Sequence, residues 1–293
     1  MSFGRLITAM VTPFDEQLNI DWDRTAKLID YLIDEQKSDS LVVSGTTGES
    51  PTLTDDEKVE LFKFAVKHAA GRCKIIAGAG SNETAHSVHL TRKAEQAGVD
   101  GILLVAPYYN KPSQEGIYQH FRTIAEATTL PVILYNVPSR TVVSMSVETT
   151  LRLAQIPNIV ATKECASLEQ MTEIVAGAPE GFVLYTGDDG VTLPTLSVGG
   201  YGVISVASHI VGAQMKDLIF AYLEGRVQDA TAINAKLFPV FKGLFSCPHP
   251  VPNPVAVKYA LTLRGIPVGE VRLPLVPASE GEAAFIQNLL KAY

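Results

Sequence analysis

Short runs of β-branched and aliphatic residues recur along the chain, each followed by a polar or glycine-containing turn and then by a stretch with helical periodicity. The runs are Arg5–Met10, Ser40–Ser44, Lys74–Gly78, Gly101–Val105, Val132–Asn136, Ile159–Lys163, Phe182–Thr186 and Gly202–Val206. Most are apolar throughout and show little alternation. Strands buried on both faces of a parallel sheet have that pattern, because neither side meets water.

The intervening segments carry helix signals. Thr54-Asp55-Asp56-Glu57 reads as a capping box, and Val59, Phe62 and Val66 follow it on one face. Ser81 and Ser113 stand where the next two N-caps belong, and Ser167-Leu168-Glu169-Gln170 reads as a second box. Gly71, Gly98, Gly177 and Gly225 fall near helix ends, where a left-handed backbone favours glycine.

Eight such strands alternating with helices predict an α/β fold closed as a (β/α)8 TIM barrel over residues 1–225. A doubly wound open sheet is the alternative, since periodicity does not report closure. No G-x-G-x-x-G follows the first run, and Gly78-Ala79-Gly80 lacks the third glycine, which disfavours the dinucleotide-binding version. The strand signal then stops. Val227–Leu244, Pro254–Leu263 and Ser279–Leu290 read as helices of a C-terminal helical domain, residues 226–293, packed on the barrel or on a partner subunit. The proline-rich Cys247–Pro254 between the first two is an irregular connector.

With 46% apolar and 19% charged residues among 293, the composition is that of a globular protein. A net charge of -7 argues against nucleic acid or an anionic membrane as partner. No apolar run is long enough to span a bilayer, and no signal peptide is expected. Three scattered cysteines, Cys73, Cys165 and Cys247, match no zinc spacing and point to a reducing, cytoplasmic setting; each reads most simply as a small buried apolar residue.

In a barrel of this kind the chemistry sits where strands end. The second run ends in Ser44-Gly45-Thr46-Thr47-Gly48-Glu49, the fourth in Pro107-Tyr108-Tyr109-Asn110, and the fifth in Tyr135-Asn136 with Arg140 close behind. The sixth ends in Thr162-Lys163-Glu164 and the seventh in Gly187-Asp188-Asp189. Lys163 is the one lysine that closes a buried strand at this rim. Desolvation and a neighbouring cation such as Arg140 would both lower its pKa from about 10.4, leaving a neutral amine able to attack a carbonyl. The plainer alternative is a lysine that reaches solvent or pairs with Glu164. Tyr109 and Tyr135 suit proton relays, with Thr46 as a linking hydroxyl, against an alternative of strand-end packing. The Gly45–Gly48 loop can offer N–H groups and hydroxyls to an anion, or be a plain turn. Arg140 suits a carboxylate, or lies idle on the surface. No metal site is expected. Adjacent Asp188 and Asp189 diverge on an extended segment, His86 and His89 lack a third ligand, and His249 lies in the connector. A phosphate site is disfavoured, because the loops after the seventh and eighth runs carry no lysine or arginine.

Together Gly45-Thr46-Thr47-Gly48-Glu49, Thr162-Lys163-Glu164 and Tyr135-Asn136-Val137-Pro138 resemble the pyruvate-dependent class I aldolases and lyases, the family of N-acetylneuraminate lyase and dihydrodipicolinate synthase. The resemblance covers the whole chain. Pro107–Pro112 and Tyr135–Thr141 resemble the synthase branch in particular, through a tyrosine loop and a carboxylate-binding arginine. It implies that Lys163 forms an imine with pyruvate, without metal or dissociable cofactor. Tyr135 would be general acid and base, and Thr46 would link it to Tyr109, which in the family enters the neighbouring subunit's site. Thr47 would hold the pyruvate carboxylate and Arg140 that of L-aspartate 4-semialdehyde. Gly187 and Ile204 would give backbone contacts. The implied partners are these two small substrates and further copies of the chain, as a homotetramer built from two dimers.

One departure stands out. Lysine-inhibited members carry histidines on the helix after the threonine loop and a glutamate on the next. The matching places here hold Asp55, Lys58 and His86, while Asn82 and Tyr108 remain, which predicts weak or absent feedback by lysine. Two rival readings are a 2-keto-3-deoxy sugar acid or sialic acid aldolase of the same family and a member turned binding protein. Arg140 argues against the first, and the retained Lys163 and tyrosines against the second.

Overall fold

The structure, a computed structural model, describes residues 3–293. Eight parallel strands close into a barrel in sequence order: β1 Leu6–Ala9, β2 Ser40–Val43, β3 Lys74–Gly78, β4 Gly101–Val105, β5 Val132–Asn136, β6 Ile159–Glu164, β7 Val183–Thr186 and β8 Gly202–Ser205. Closure excludes the doubly wound alternative, because β1 pairs with both β2 and β8.

Strand alternation splits the apolar residues into two layers. Ile7, Val42, Ile76, Leu103, Ile133 and Ile204 fill the barrel interior, together with Tyr135 and Tyr185. Leu6, Leu41, Ile75, Ile102, Leu134 and Val203 face the surrounding helices, in one apolar body that extends through the last helix to Leu290. Both faces are dry, which accounts for the unbroken apolar runs in the sequence.

Helix ends follow the local chemistry, with some differences from the predicted caps. Thr54 and Glu57 form the reciprocal box, and Ser113 accepts the N–H of Gly116. Ser81 does not cap the helix Thr84–Gln96; Glu83 does, by accepting from Ala85 and His86, while the Ser81 hydroxyl bonds Glu83 O and the Ser87 hydroxyl of that helix. Ser167 caps Leu168–Gly177, yet the box is only half formed, because the Gln170 amide turns to Met145 O and Glu164. Gly71, Gly98 and Gly225 have the expected positive φ. Gly177 does not: it is the last helical residue, pressed against Leu151.

Beyond the barrel run helices Val227–Gly243, Val255–Leu263 and Glu280–Leu290. They pack on the barrel of their own chain, and their ties to it are polar as well as apolar. Arg272 donates to Glu57, to the carbonyls of Leu18 and Thr52, and through its N–H to Glu49. Among the described residues no helix is long and apolar enough to cross a membrane.

Candidate active site

Tyr135 and Lys163 are direct partners in the β5–β6 register, so both point into the barrel at one level. The Lys163 Nζ lies 4.2 Å from the centroid of the Tyr135 ring, a cation–π distance. One residue further on, Asn136 and Glu164 are the next partners and face the helices instead. Asn136 donates to both Glu164 oxygens at 3.0 and 3.2 Å. The Glu164 carboxylate also takes the N–H groups of Cys165 and Ala166, and burial pushes its pKa up to about 7. Glu164 therefore braces the loop after β6 and is no partner for Lys163.

Lys163 is 6% exposed, so it does not reach solvent. Burial holds its amine below the ordinary lysine range; Cys165 and Asp189 oppose this, and Arg140 adds to it. Both causes expected from sequence are present, with burial the larger. Tyr135 bonds to Thr46, and burial raises its phenol well above the usual value. Its hydroxyl also meets the Cys165 thiol, itself pushed up to about 11 by burial.

A cavity of about 640 Å³ adjoins Tyr135, and Lys163 is not on its wall. Thr46, Tyr135 and Arg140 lie on its wall, and so do Asp55, Lys58, Asn82, His86 and Tyr108. Gly187 lies against the lysine stem, where an added Cβ would meet the Cys165 Sγ and stand 2.6 Å from Lys163 Cε. Ile204 belongs to the interior layer with Tyr135. Thr47 is buried behind the wall, its hydroxyl accepting from Asn253 Nδ2 at 2.9 Å. Tyr109 stands apart. It is 88% exposed, with a φ of 73°, and within one chain it makes no hydrogen bond to Thr46.

Three contributors were not legible in the sequence. Cys165 was read as a small core residue, yet its thiol touches Tyr135. Asp189 accepts the N–H groups of Val206 and Ala207, which fixes the end of β8; burial pushes it up to about 6. Asn253 comes from the proline-rich connector, whose composition carried no sign of a reach into the barrel. Among the described residues no group of three His, Cys, Asp or Glu is placed to hold a metal ion.

Residues 2–293 match the model of the dihydrodipicolinate synthetase family. The 4-hydroxy-tetrahydrodipicolinate synthase of Bacillus subtilis is 57% identical over 292 residues, covering 99% of both chains. That of Bacillus velezensis is 55% identical over 291 residues, again covering 99% of each. The crystal structure of dihydrodipicolinate synthase DapA-2 from Bacillus anthracis superposes with a TM-score of 0.97 at 49% identity, over 100% of this chain and 99% of that one. With a desolvated lysine beside a tyrosine at the barrel mouth, and likeness that runs from end to end, the chain belongs to the dihydrodipicolinate synthetase family.

Proposed function

We propose that this protein condenses pyruvate with L-aspartate 4-semialdehyde to give 4-hydroxy-tetrahydrodipicolinate, on the diaminopimelate route to lysine, through an imine on Lys163. The observation that carries the reading is the buried Lys163 amine, 4.2 Å from the centroid of the Tyr135 ring, which lines a cavity together with Arg140. A lysine in that setting loses its proton more readily than in water and becomes a carbonyl nucleophile.

The steps follow from the groups present. Neutral Lys163 adds to the pyruvate ketone, and water leaves as the imine forms. Loss of a methyl proton gives the enamine, whose carbon bonds to the aldehyde carbon of the second substrate. The aldehyde oxygen takes a proton and becomes a hydroxyl. The amine of the new molecule then displaces Lys163 by transimination and closes the six-membered ring. Tyr135 is the proton carrier, a role supported by its bond to Thr46 and its place beside the amine. Arg140 is the carboxylate clamp for the semialdehyde, supported by its position on the cavity wall. Thr47 and the N–H groups of its loop take the pyruvate carboxylate, while Gly187 and Ile204 give close backbone approach. No metal or dissociable cofactor enters this scheme, since the imine is the electron sink.

The reading includes a dimer in which Tyr109 completes the relay of a second copy, with dimers paired into a tetramer. It is supported by the exposure of that phenol and its left-handed backbone, uncommon for an aromatic residue. It also takes residues 1–225 as the catalytic barrel and 226–293 as a helical domain, and places the protein in the cytoplasm, in line with three free cysteines.

Borohydride reduction in the presence of pyruvate, followed by peptide mass mapping, tests the nucleophile. An adduct on Lys163 is expected, and one on any other lysine refutes the assignment. A coupled assay comparing aspartate semialdehyde with sugar-acid aldehydes tests the second substrate.

A further inference from the structure

The Gly45–Glu49 loop is gripped from the far end of the chain. Lys258 and Glu49 form an ion pair at 2.7 Å, with side chains 3% and 1% exposed. Lys258 also donates to Glu270 O and lies over the Phe14 ring, and the Arg272 N–H reaches the second Glu49 oxygen. Five residues before Lys258, the amide of Asn253 donates to the Thr47 hydroxyl oxygen at 2.9 Å. Both residues are buried, and among the described residues the Thr47 side chain makes no other hydrogen bond.

A hydroxyl carries one proton and two lone pairs. With an N–H of Asn253 on one lone pair, the Thr47 proton is turned away from Asn253 and remains free to donate. We propose that Asn253 is a positioning residue for the substrate carboxylate: by occupying the Thr47 oxygen as a donor, it fixes the hydroxyl so that its proton is presented to the 2-oxo acid. This rests on the reading that Thr47 holds the pyruvate carboxylate. The Glu49–Lys258 pair keeps the two segments in register, and Asn253 itself touches no reacting atom.

Initial rates with pyruvate varied at saturating aspartate semialdehyde test the assignment. A carboxylate is held alike in ground and transition states, so its loss moves KM more than kcat. Asn253→Ala is expected to raise the pyruvate KM about tenfold, with kcat within about twofold, the size of one charge-assisted hydrogen bond. Asn253→Asp keeps the volume but can only accept; it draws the hydroxyl proton to itself and repels the substrate. Its KM is expected to rise about a hundredfold at pH 8 and to recover partly at lower pH as the carboxyl takes up a proton. In a Thr47→Val background, Asn253→Ala should add nothing further. An unchanged KM in both Asn253 variants overturns the proposal, as do losses that add in the double variant. Should Asn253→Ala melt early, the isosteric Asn253→Asp and its pH profile carry the test alone. Borohydride trapping on the unaltered protein separates the layers: an adduct away from Lys163 removes the underlying reading, whereas a Lys163 adduct with additive losses removes only the role of Asn253.

Discussion

Gly187 and Lys163 are so close that no side chain fits between them: a Cβ on Gly187 would stand 2.6 Å from Lys163 Cε and would also strike the Cys165 thiol. The atoms in the way are side-chain ends, so the barrel can adapt while the lysine cannot keep its place. Gly187→Ala is therefore expected to fold normally and to lose about a hundredfold in kcat, the cost of a displacement near 1 Å at a reacting group. Far-UV circular dichroism and kcat together check this, and a normal kcat would show that the lysine position tolerates more than the packing suggests.

Replacing the nucleophile should abolish turnover and stabilise the fold at neutral pH. In the folded state burial keeps the Lys163 amine below its ordinary range, while in the unfolded chain it titrates near 10.4. Between those values the unfolded chain binds the extra proton, so this group lowers stability at pH 7 and ceases to do so as pH rises past the unfolded value. Lys163→Met should thus be more stable than the parent at pH 7, and the gain should shrink towards pH 10. Denaturant titrations at two pH values read it directly; a gain that grows with pH contradicts the assigned shift.

Tyr135→Phe removes the hydroxyl that bonds Thr46 and the Cys165 thiol, and turnover should fall by about 10²–10⁴. Tyr109→Phe should lose a large part of activity despite lying 88% exposed in one chain. The same reading requires activity per chain to drop on dilution into the monomer range. Sedimentation and stopped-flow rates at matched concentrations test it; near-normal turnover by Tyr109→Phe takes the relay out of the mechanism.

Lysine should inhibit weakly or not at all. The cavity branch near the β2 loop holds Asp55, but its carboxylate already receives His86 Nε2 at 2.8 Å and has Lys58 Nζ at 3.8 Å. A ligand ammonium would compete with a lysine and an imidazole that already hold this one acid. Initial rates with lysine at millimolar levels are expected to stay near the control, and a low-micromolar inhibition constant would overturn this.

The barrel was legible because both faces of each strand are dry and several helices, such as Asp55–Ala69, Gln114–Ala125 and Leu168–Gly177, open on a Thr or Ser cap. Strand ends were harder, since they are decided by side chains distant in sequence. The Asp39 carboxylate takes the N–H groups of both Arg5 and Leu6 where β1 begins, and Val206 leaves β8 because Asp189 takes its N–H. Ser44 turns out of β2 with a φ of 58°, a conformation that serine does not advertise. Phe182 precedes β7 because its N–H closes a turn onto Pro179. The nearness of Lys163 to Tyr135, and the place of Thr46, Tyr135 and Arg140 on one cavity wall, were legible from strand ends. Asn253 was not, because a proline-rich stretch gives no period from which to infer what it faces.

The tie between Glu49 and Lys258 also has a bearing on synthesis. Glu49 is made long before Lys258, so the Gly45–Glu49 loop cannot gain this tie until residue 258 has been added. A fragment cut anywhere before the helix Val255–Leu263 can hold Lys163, Tyr135, Thr46 and Arg140 and still lack the Lys258 tie to this loop. On the proposed role of that loop, activity therefore requires a chain made at least as far as Lys258.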